Sequence, residues 1–269
     1  MPIRVVGVLL VLSLIWLMFE FRTVLSCILA VLDVGYWYTR TSTVYISVSG
    51  TVLIALSDII SAFALIATAV ETHKLDTSTS HWLQWLWLIV LALATDFSLP
   101  LFMLKAVTRL EVSRNNSNWF PSVRRVGPTH KERNSQRLDS RTGWGVKAGY
   151  HVISAHLPDP SPGDHATNSV VHVYSLVFFP LQFTGWLSQL LLNQRSKTFA
   201  GSYKIAVALR CILMTLGLIV YSPTVVGRFD ARPGFSAPQA VSMIAFAATA
   251  WQAVTFPKAM QKIEDEDSE

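Results

Sequence analysis

Long apolar runs occupy most of this chain, and two of them carry an aspartate near the middle. One run covers residues 44–70 and contains Asp58, and the next covers 82–104 and contains Asp96. Apolar runs of about 18 residues or more are the usual sign of a transmembrane helix. A carboxyl group at that depth costs about 2.5–3.5 kcal/mol, so it normally faces a cavity or a partner. The pattern therefore predicts membrane helices that hold two buried acids.

The composition supports the same fold class. Hydrophobic residues make up 51% of the 269 residues and charged residues 14%, whereas about a quarter of an average soluble domain is charged. Because lipid cannot satisfy open backbone groups, the expected fold is all-α, a polytopic membrane helix bundle that forms a single transmembrane domain over 1–269. The predicted location is integral and multi-pass, with the endoplasmic reticulum suggested by an uncleaved first helix. The expected segments are 5–20, 23–39, 44–70, 82–108, 170–192, 203–222 and 236–256, or six spans if part of the first hairpin lies in the interface.

One long polar stretch, 109–169, interrupts the apolar segments. Ten of the 22 Lys and Arg residues lie between Lys105 and Lys147. This cluster is typical of a basic loop on the cytoplasmic side of a membrane, and its composition predicts a largely disordered loop. The formal charge of +5 is explained by this loop, so no nucleic-acid partner is expected.

The candidate site is built from acids at matching depth. Asp58 and Asp96 lie about 20 and 22 Å from the short loop 71–81 that joins their segments, if both segments are helical. Two converging carboxyl groups cannot easily ionise together, so one would stay protonated and could donate a proton. Asp33 is a third candidate acid. The expected aromatic substrate contacts are Trp37, Phe63 and Phe97.

A structural explanation of these acids competes with the catalytic one. Each of Asp58 and Asp96 is as well explained by packing as by function, and Arg210 could form a structural ion pair with one of them. For Asp33, a position near the interface is the simpler explanation. The chain has no HExxH, GxSxG, P-loop or GxGxxG motif, so neither a metal nor a cofactor is predicted.

In overall plan the chain resembles the small membrane-bound terpene cyclases of fungal meroterpenoid biosynthesis. The resemblance rests on the Trp-rich segments, the absence of cofactor motifs and the acids Asp33, Asp58, Glu71 and Asp96. It implies acid-initiated cyclisation of a lipophilic prenylated intermediate in secondary metabolism, an isomerase or lyase reaction in contact with membrane lipids. Aromatic faces would stabilise the passing carbocation.

Two other classes of function stay open. Intramembrane aspartates also serve proton relays, so the chain could be a proton-coupled small-molecule carrier. Alternatively, it could be a non-catalytic accessory membrane protein whose basic loop binds anionic lipid or a soluble partner.

Overall fold

The computed structural model describes residues 2–75, 97–113, 122–141, 177–220 and 237–259. These ranges contain seven helices and one two-stranded antiparallel sheet, so the predicted helical character is confirmed. The elements are α1 (Pro2–Thr39), α2 (Val48–Leu75), α3 (Ser98–Thr108), β1 (Leu110–Ser113), β2 (Ser122–Arg125), α4 (His130–Ser140), α5 (Phe179–Ser196), α6 (Lys204–Val220) and α7 (Ala237–Thr255).

The predicted membrane spans are not found. Over the described residues, no helix combines the length and the apolar character that a bilayer crossing requires. α3 and α6 have 11 and 17 residues, or about 16 and 26 Å, against a hydrocarbon core of about 30 Å. α5 carries buried polar side chains, among them Ser188 and Asn193. The predictions of a polytopic membrane bundle and of an integral multi-pass location are therefore wrong.

The expected hairpin near the start of the chain is also wrong. α1 is one continuous helix of 38 residues, about 57 Å long, and it passes through Glu20 and Arg22 without a turn. Neither residue is a helix breaker, and no glycine or proline occurs between Gly7 and Gly35. Because no breaker stands at this point, the helix continues.

α2 packs most extensively against α5, and a pair of glycines permits the close approach of the two backbones. A Cβ atom added at Gly50 would lie 2.7 Å from the carbonyl oxygen of Gly185. A Cβ added at Gly185 would lie 2.6 Å from the carbonyl oxygen of Gly50. Both distances are shorter than van der Waals contact, so only glycine fits at this crossing.

A short hairpin and one helix lie in the first part of the stretch 109–169, for which a largely disordered loop was predicted; residues 114–121 and 142–169 lie outside the described residues, so for them that stays a prediction. The strands β1 and β2 pair in register from Leu110 with Arg125 to Ser113 with Ser122, and α4 follows them. Thr129 caps α4: its side chain accepts from the Glu132 amide, and the Glu132 carboxylate accepts from the Thr129 amide. This capping box fixes the start of the helix.

Buried carboxylates attach α4 to the segment between α1 and α2. Glu132 is fully buried, and its Oε1 accepts hydrogen bonds from the amide of Thr43 at 2.9 Å and from the Ser42 hydroxyl at 3.2 Å. Its Oε2 lies 2.7 Å from Nη1 of Arg109, at the end of α3. At the other end of α4, Asp139 accepts from the hydroxyl of Ser47 at 2.9 Å. α4 is therefore held against the bundle by polar contacts rather than by apolar packing.

Candidate functional site

An ion pair joins the middle of α6 to the last third of α1. Nη2 of Arg210 lies 2.7 Å from Oδ1 and 2.6 Å from Oδ2 of Asp33. The side chains are 27% and 14% exposed, respectively, so the pair is mostly shielded from water but reaches the surface. A guanidinium is the best partner for a partly buried carboxylate, because it stays charged and offers several donors.

A cavity of about 120 Å³ lies beside this ion pair, between α1, α2, α3, α5, α6 and α7. Its aromatic wall consists of Trp37, Trp186, Phe199 and Phe246. Trp186 and Phe246 meet edge to face with ring centroids 4.8 Å apart, which is a favourable aromatic geometry. The cavity thus has an apolar, aromatic body and one charged end.

A network of side-chain amides builds the floor of the cavity. Gln189 accepts from the amide of Ser47 at 2.8 Å through Oε1, and through Nε2 it donates to Oδ1 of Asn193 at 2.8 Å. Asn193 in turn donates to the carbonyl of Ala200 at 3.2 Å and accepts from the amide of the same residue at 3.3 Å. These bonds tie α5 to two loops and hold the residues around 200 in the wall.

A glycine is required in this wall. Gly201 has a φ angle of +103°, which residues with a Cβ rarely adopt. Its amide donates to the hydroxyl of Tyr36 at 2.9 Å. Burial raises the pKa of Tyr36 above its ordinary value, an effect that Arg40 and the bond from Gly201 partly oppose. The Tyr36 hydroxyl therefore stays protonated and holds Gly201, which lines the cavity, in place.

Arg210 has hydrogen-bond donors that no described residue uses. Asp33 occupies only Nη2, and among the described residues nothing accepts a hydrogen bond from Nε or Nη1 of Arg210. A guanidinium has five N–H donors in a fixed plane, so three remain for solvent or a ligand. The site can therefore bind a hydrogen-bond acceptor at its charged end and an apolar group among the aromatic rings.

The structure brings two of the sequence-predicted residues into this cavity. Asp33 lies at the charged end and Trp37 in the aromatic wall. Trp37 is buried and packs edge to face on Tyr36, with ring centroids 5.3 Å apart. Asp33 was expected as a possible proton donor, but both of its carboxylate oxygens accept hydrogen bonds from Nη2 of Arg210.

The other predicted residues lie elsewhere. Asp58 is half-buried on α2, one turn beyond Ile54, and is not among the described residues that line the cavity. Phe63 and Phe97 do meet, edge to face at 5.2 Å, but Phe63 is 59% exposed and neither ring lines the cavity. Asp96 lies outside the described residues, so the predicted convergence of Asp58 with Asp96 stays a prediction.

Several residues of the candidate site were missed from the sequence. Arg210 was considered as a partner for Asp58 or Asp96, whereas it pairs with Asp33. Gln189 and Asn193 had a readable signal, because two amides four residues apart share one face of a helix. Phe246 had no such signal, since an aromatic residue in an apolar helix usually packs in the hydrophobic core.

The arrangement suits recognition of an uncharged group better than metal binding. Among the residues that the structure describes, no three His, Cys, Asp or Glu side chains lie close enough together to hold a metal ion. The opposite charges of Asp33 and Arg210 cancel within the cavity wall.

No protein-family model, curated protein or solved structure matches this chain.

Proposed function

We propose that the protein binds a small, neutral molecule made of one ring-sized apolar group and one hydrogen-bond acceptor. The observation that carries this proposal is the Asp33–Arg210 ion pair at the end of an aromatic cavity, with Nε and Nη1 of Arg210 unused by the described residues. The ring would pack between Trp186 and Phe246, and the acceptor would face Arg210. Cavities of this kind, apolar with few polar groups, are the usual small-molecule sites.

The size of the cavity limits the ligand. Its volume of about 120 Å³ is close to the roughly 150 Å³ of an engineered apolar cavity that binds benzene. It is below the roughly 300–1,000 Å³ of a typical ligand pocket. A ligand of one ring fits, and a longer molecule would place only one end inside and extend past Asp33 and Arg210 to the surface.

The charge balance of the wall selects a neutral ligand. An added anion would gain from Arg210 but would be repelled by Asp33, and an added cation would meet the reverse. A carbonyl oxygen avoids this repulsion and still receives a charge-assisted hydrogen bond from the guanidinium. Such a bond contributes about 1.5–3 kcal/mol, or about 10- to 150-fold in affinity.

Calorimetric titration of the full chain with three matched probes tests this proposal. Acetophenone has the ring and the carbonyl acceptor, ethylbenzene has the ring without the acceptor, and benzoate has the ring with a negative charge. We expect acetophenone to bind at least about tenfold more tightly than either of the others. Equal affinities for acetophenone and ethylbenzene would contradict the proposed contact with Arg210.

A charge-neutral double variant is the matched control. Asp33→Asn with Arg210→Gln keeps the net charge of the wall and the size of the first side chain, and replaces the guanidinium by a shorter, uncharged amide. We expect the preference for acetophenone over ethylbenzene to fall to about threefold or less, with the ethylbenzene affinity unchanged. A thermal unfolding curve recorded beside each titration separates loss of binding from loss of fold.

Acid-initiated cyclisation of a prenylated intermediate is the second candidate. The aromatic rings of Trp37, Trp186 and Phe246 beside a carboxylate support it, since aromatic faces stabilise carbocations. Two features weigh against it: both oxygens of Asp33 are already engaged by Arg210, and the cavity has room only for one end of a prenyl chain. Incubation of the full chain with a farnesylated phenol, followed by mass spectrometry and chromatography, tests it. A cyclised isomer that Asp33→Asn no longer forms is the expected result of a cyclase.

A further inference from the structure

The helix α4 separates its charges between two faces. Its acids, Glu132 and Asp139, are buried against the bundle together with Ser135. Its arginines, Arg133 and Arg137, are exposed, and Arg141 directly after the helix is exposed as well. Positions four residues apart lie on one face of a helix, so these three arginines form one stripe. We call Arg133, Arg137 and Arg141 the basic stripe.

The basic stripe has no internal counter-charge among the described residues. No carboxylate there lies within ion-pair distance of Arg133, Arg137 or Arg141. The two acids of α4 itself already have partners on the inner face. Glu132 pairs with Arg109 and accepts hydrogen bonds from hydroxyl and amide groups, and Asp139 accepts hydrogen bonds from hydroxyl groups. Three unpaired guanidinium groups in a row require an external anion or solvent for their charge.

Exposed apolar and aromatic side chains lie at the same end of the bundle. Tyr38, near the end of α1, is 61% exposed, and Leu101 on α3 is 56% exposed. Nζ of Lys105 lies 5.6 Å from the centre of the Tyr38 ring, so a cation and an aromatic ring share this surface. The segment after α1 contacts α4 through Thr43 and Glu132, which places the basic stripe at this end too.

We propose that the basic stripe is a docking surface for the anionic headgroups of a lipid bilayer. A nucleic-acid phosphate backbone would satisfy the arginines equally well, but it would gain nothing from the exposed Tyr38 and Leu101 at the same end of the bundle. A bilayer interface accepts both, because aromatic side chains settle at the headgroup level while arginines pair with lipid phosphates. This surface is separate from the cavity and does not depend on its ligand.

Vesicle sedimentation with the full chain tests the proposal. One set of vesicles contains phosphatidylcholine alone and the other contains about 30% phosphatidylserine. Each Lys or Arg near an anionic surface contributes about fivefold to partitioning, so three arginines contribute on the order of a hundredfold. We expect strong binding to the anionic vesicles only, and weaker binding as salt is raised. Equal binding to both sets would overturn the proposal.

Two triple variants make the test specific for charge. Changing Arg133, Arg137 and Arg141 all to Gln should weaken binding to anionic vesicles by on the order of a hundredfold, whereas changing all three to Lys should retain most of it. These side chains are exposed, so neither variant should alter the unfolding temperature. If the Gln variant binds the vesicles as well as the parent chain does, the stripe is not the docking surface. A parent chain that binds duplex RNA more tightly than vesicles, together with a Gln variant that loses this RNA binding, would show that the partner is a nucleic acid. The lipid proposal would then fail.

Discussion

Arg210 reaches Asp33 across 177 positions of sequence, and its Nη2 contacts both carboxylate oxygens at 2.6–2.7 Å. The pair joins α6 to α1 and forms the polar end of a cavity whose other walls are mostly apolar. Because Asp33 uses only one nitrogen of the guanidinium, the contact leaves Arg210 able to bind a second acceptor. The same interaction thus stabilises the packing of two helices and defines the chemistry of the site.

Removing only the acid of this pair should change which ligand binds. In Asp33→Asn the guanidinium is no longer neutralised, so the cavity gains a net positive charge. We expect the affinity for benzoate to rise by about tenfold or more, while that for acetophenone changes by less than about threefold. Titration calorimetry of both probes measures the change. Unaltered benzoate binding would mean that Arg210 does not contact the ligand.

Asp58 provides a matched comparison in the same chain. It is half-buried on α2, but it is not among the described residues that line the cavity. We therefore expect Asp58→Asn to leave the acetophenone affinity within about twofold of the parent value, because a group that does not touch the ligand contributes little to binding. The titration that shows a changed benzoate affinity for Asp33→Asn should show none for Asp58→Asn. A change of about tenfold in ligand affinity for Asp58→Asn would indicate that Asp58 contacts the ligand.

The attachment of α4 should depend on pH. Burial alone would raise the pKa of Glu132, but hydrogen bonds from Thr43 and Thr129, together with the charge of Arg109, lower it below its ordinary value of 4.5. A carboxyl group whose pKa is lower in the folded state stabilises the fold above the ordinary pKa, and this contribution is lost as pH falls through the folded value. We expect unfolding by urea to become easier below about pH 4.5.

The variant Glu132→Gln separates this effect from general acid denaturation. At pH 7 it should lose about 1.5–3 kcal/mol of unfolding free energy, since an amide cannot replace a carboxylate that accepts hydrogen bonds from several donors. Between about pH 5 and pH 3, a range that brackets the ordinary pKa of a glutamate, its stability should then decline less than that of the parent chain. Parallel pH profiles for the two proteins would show that Glu132 is not the titrating group.

The glycine crossing of α2 with α5 predicts opposite effects for two similar substitutions. Gly185→Ala places a Cβ 2.6 Å from the carbonyl oxygen of Gly50, and such overpacking typically costs about 1–3 kcal/mol. Gly217, within α6, has nothing within 4 Å of an added Cβ. Because alanine favours a helix over glycine by about 0.8–1 kcal/mol, Gly217→Ala should stabilise. Thermal unfolding of both variants checks the pair, and a stabilising Gly185→Ala would contradict the close crossing.

The sequence predicted the helices well because their signal is local. Apolar runs with few breakers predicted α2, α6 and α7 within five residues of their observed ends. It failed where apolar character was taken to mean lipid contact. A side chain such as Leu192 is equally apolar whether it is buried against other helices, as here, or against lipid, so composition alone could not separate the two.

The site was partly predictable for a related reason. Asp33 and Trp37 occupy successive turns of α1, so their shared face could be inferred from sequence, and both line the cavity. The pairing of Asp33 with Arg210 depends on how α1 and α6 pack, which no local pattern encodes. In contrast, α4 was missed although its capping box, Thr129 followed three positions later by Glu132, is a local signal.

A crystal structure of the full chain with 4′-bromoacetophenone, phased on bromine, locates the ligand without reliance on any variant. We expect one anomalous bromine peak in the cavity beside Trp186 and Phe246, with the carbonyl oxygen within hydrogen-bond distance of Nε or Nη1 of Arg210. The proposed binding site would be contradicted if the bromine peak lay elsewhere on the protein while the cavity beside an intact Asp33–Arg210 pair was empty.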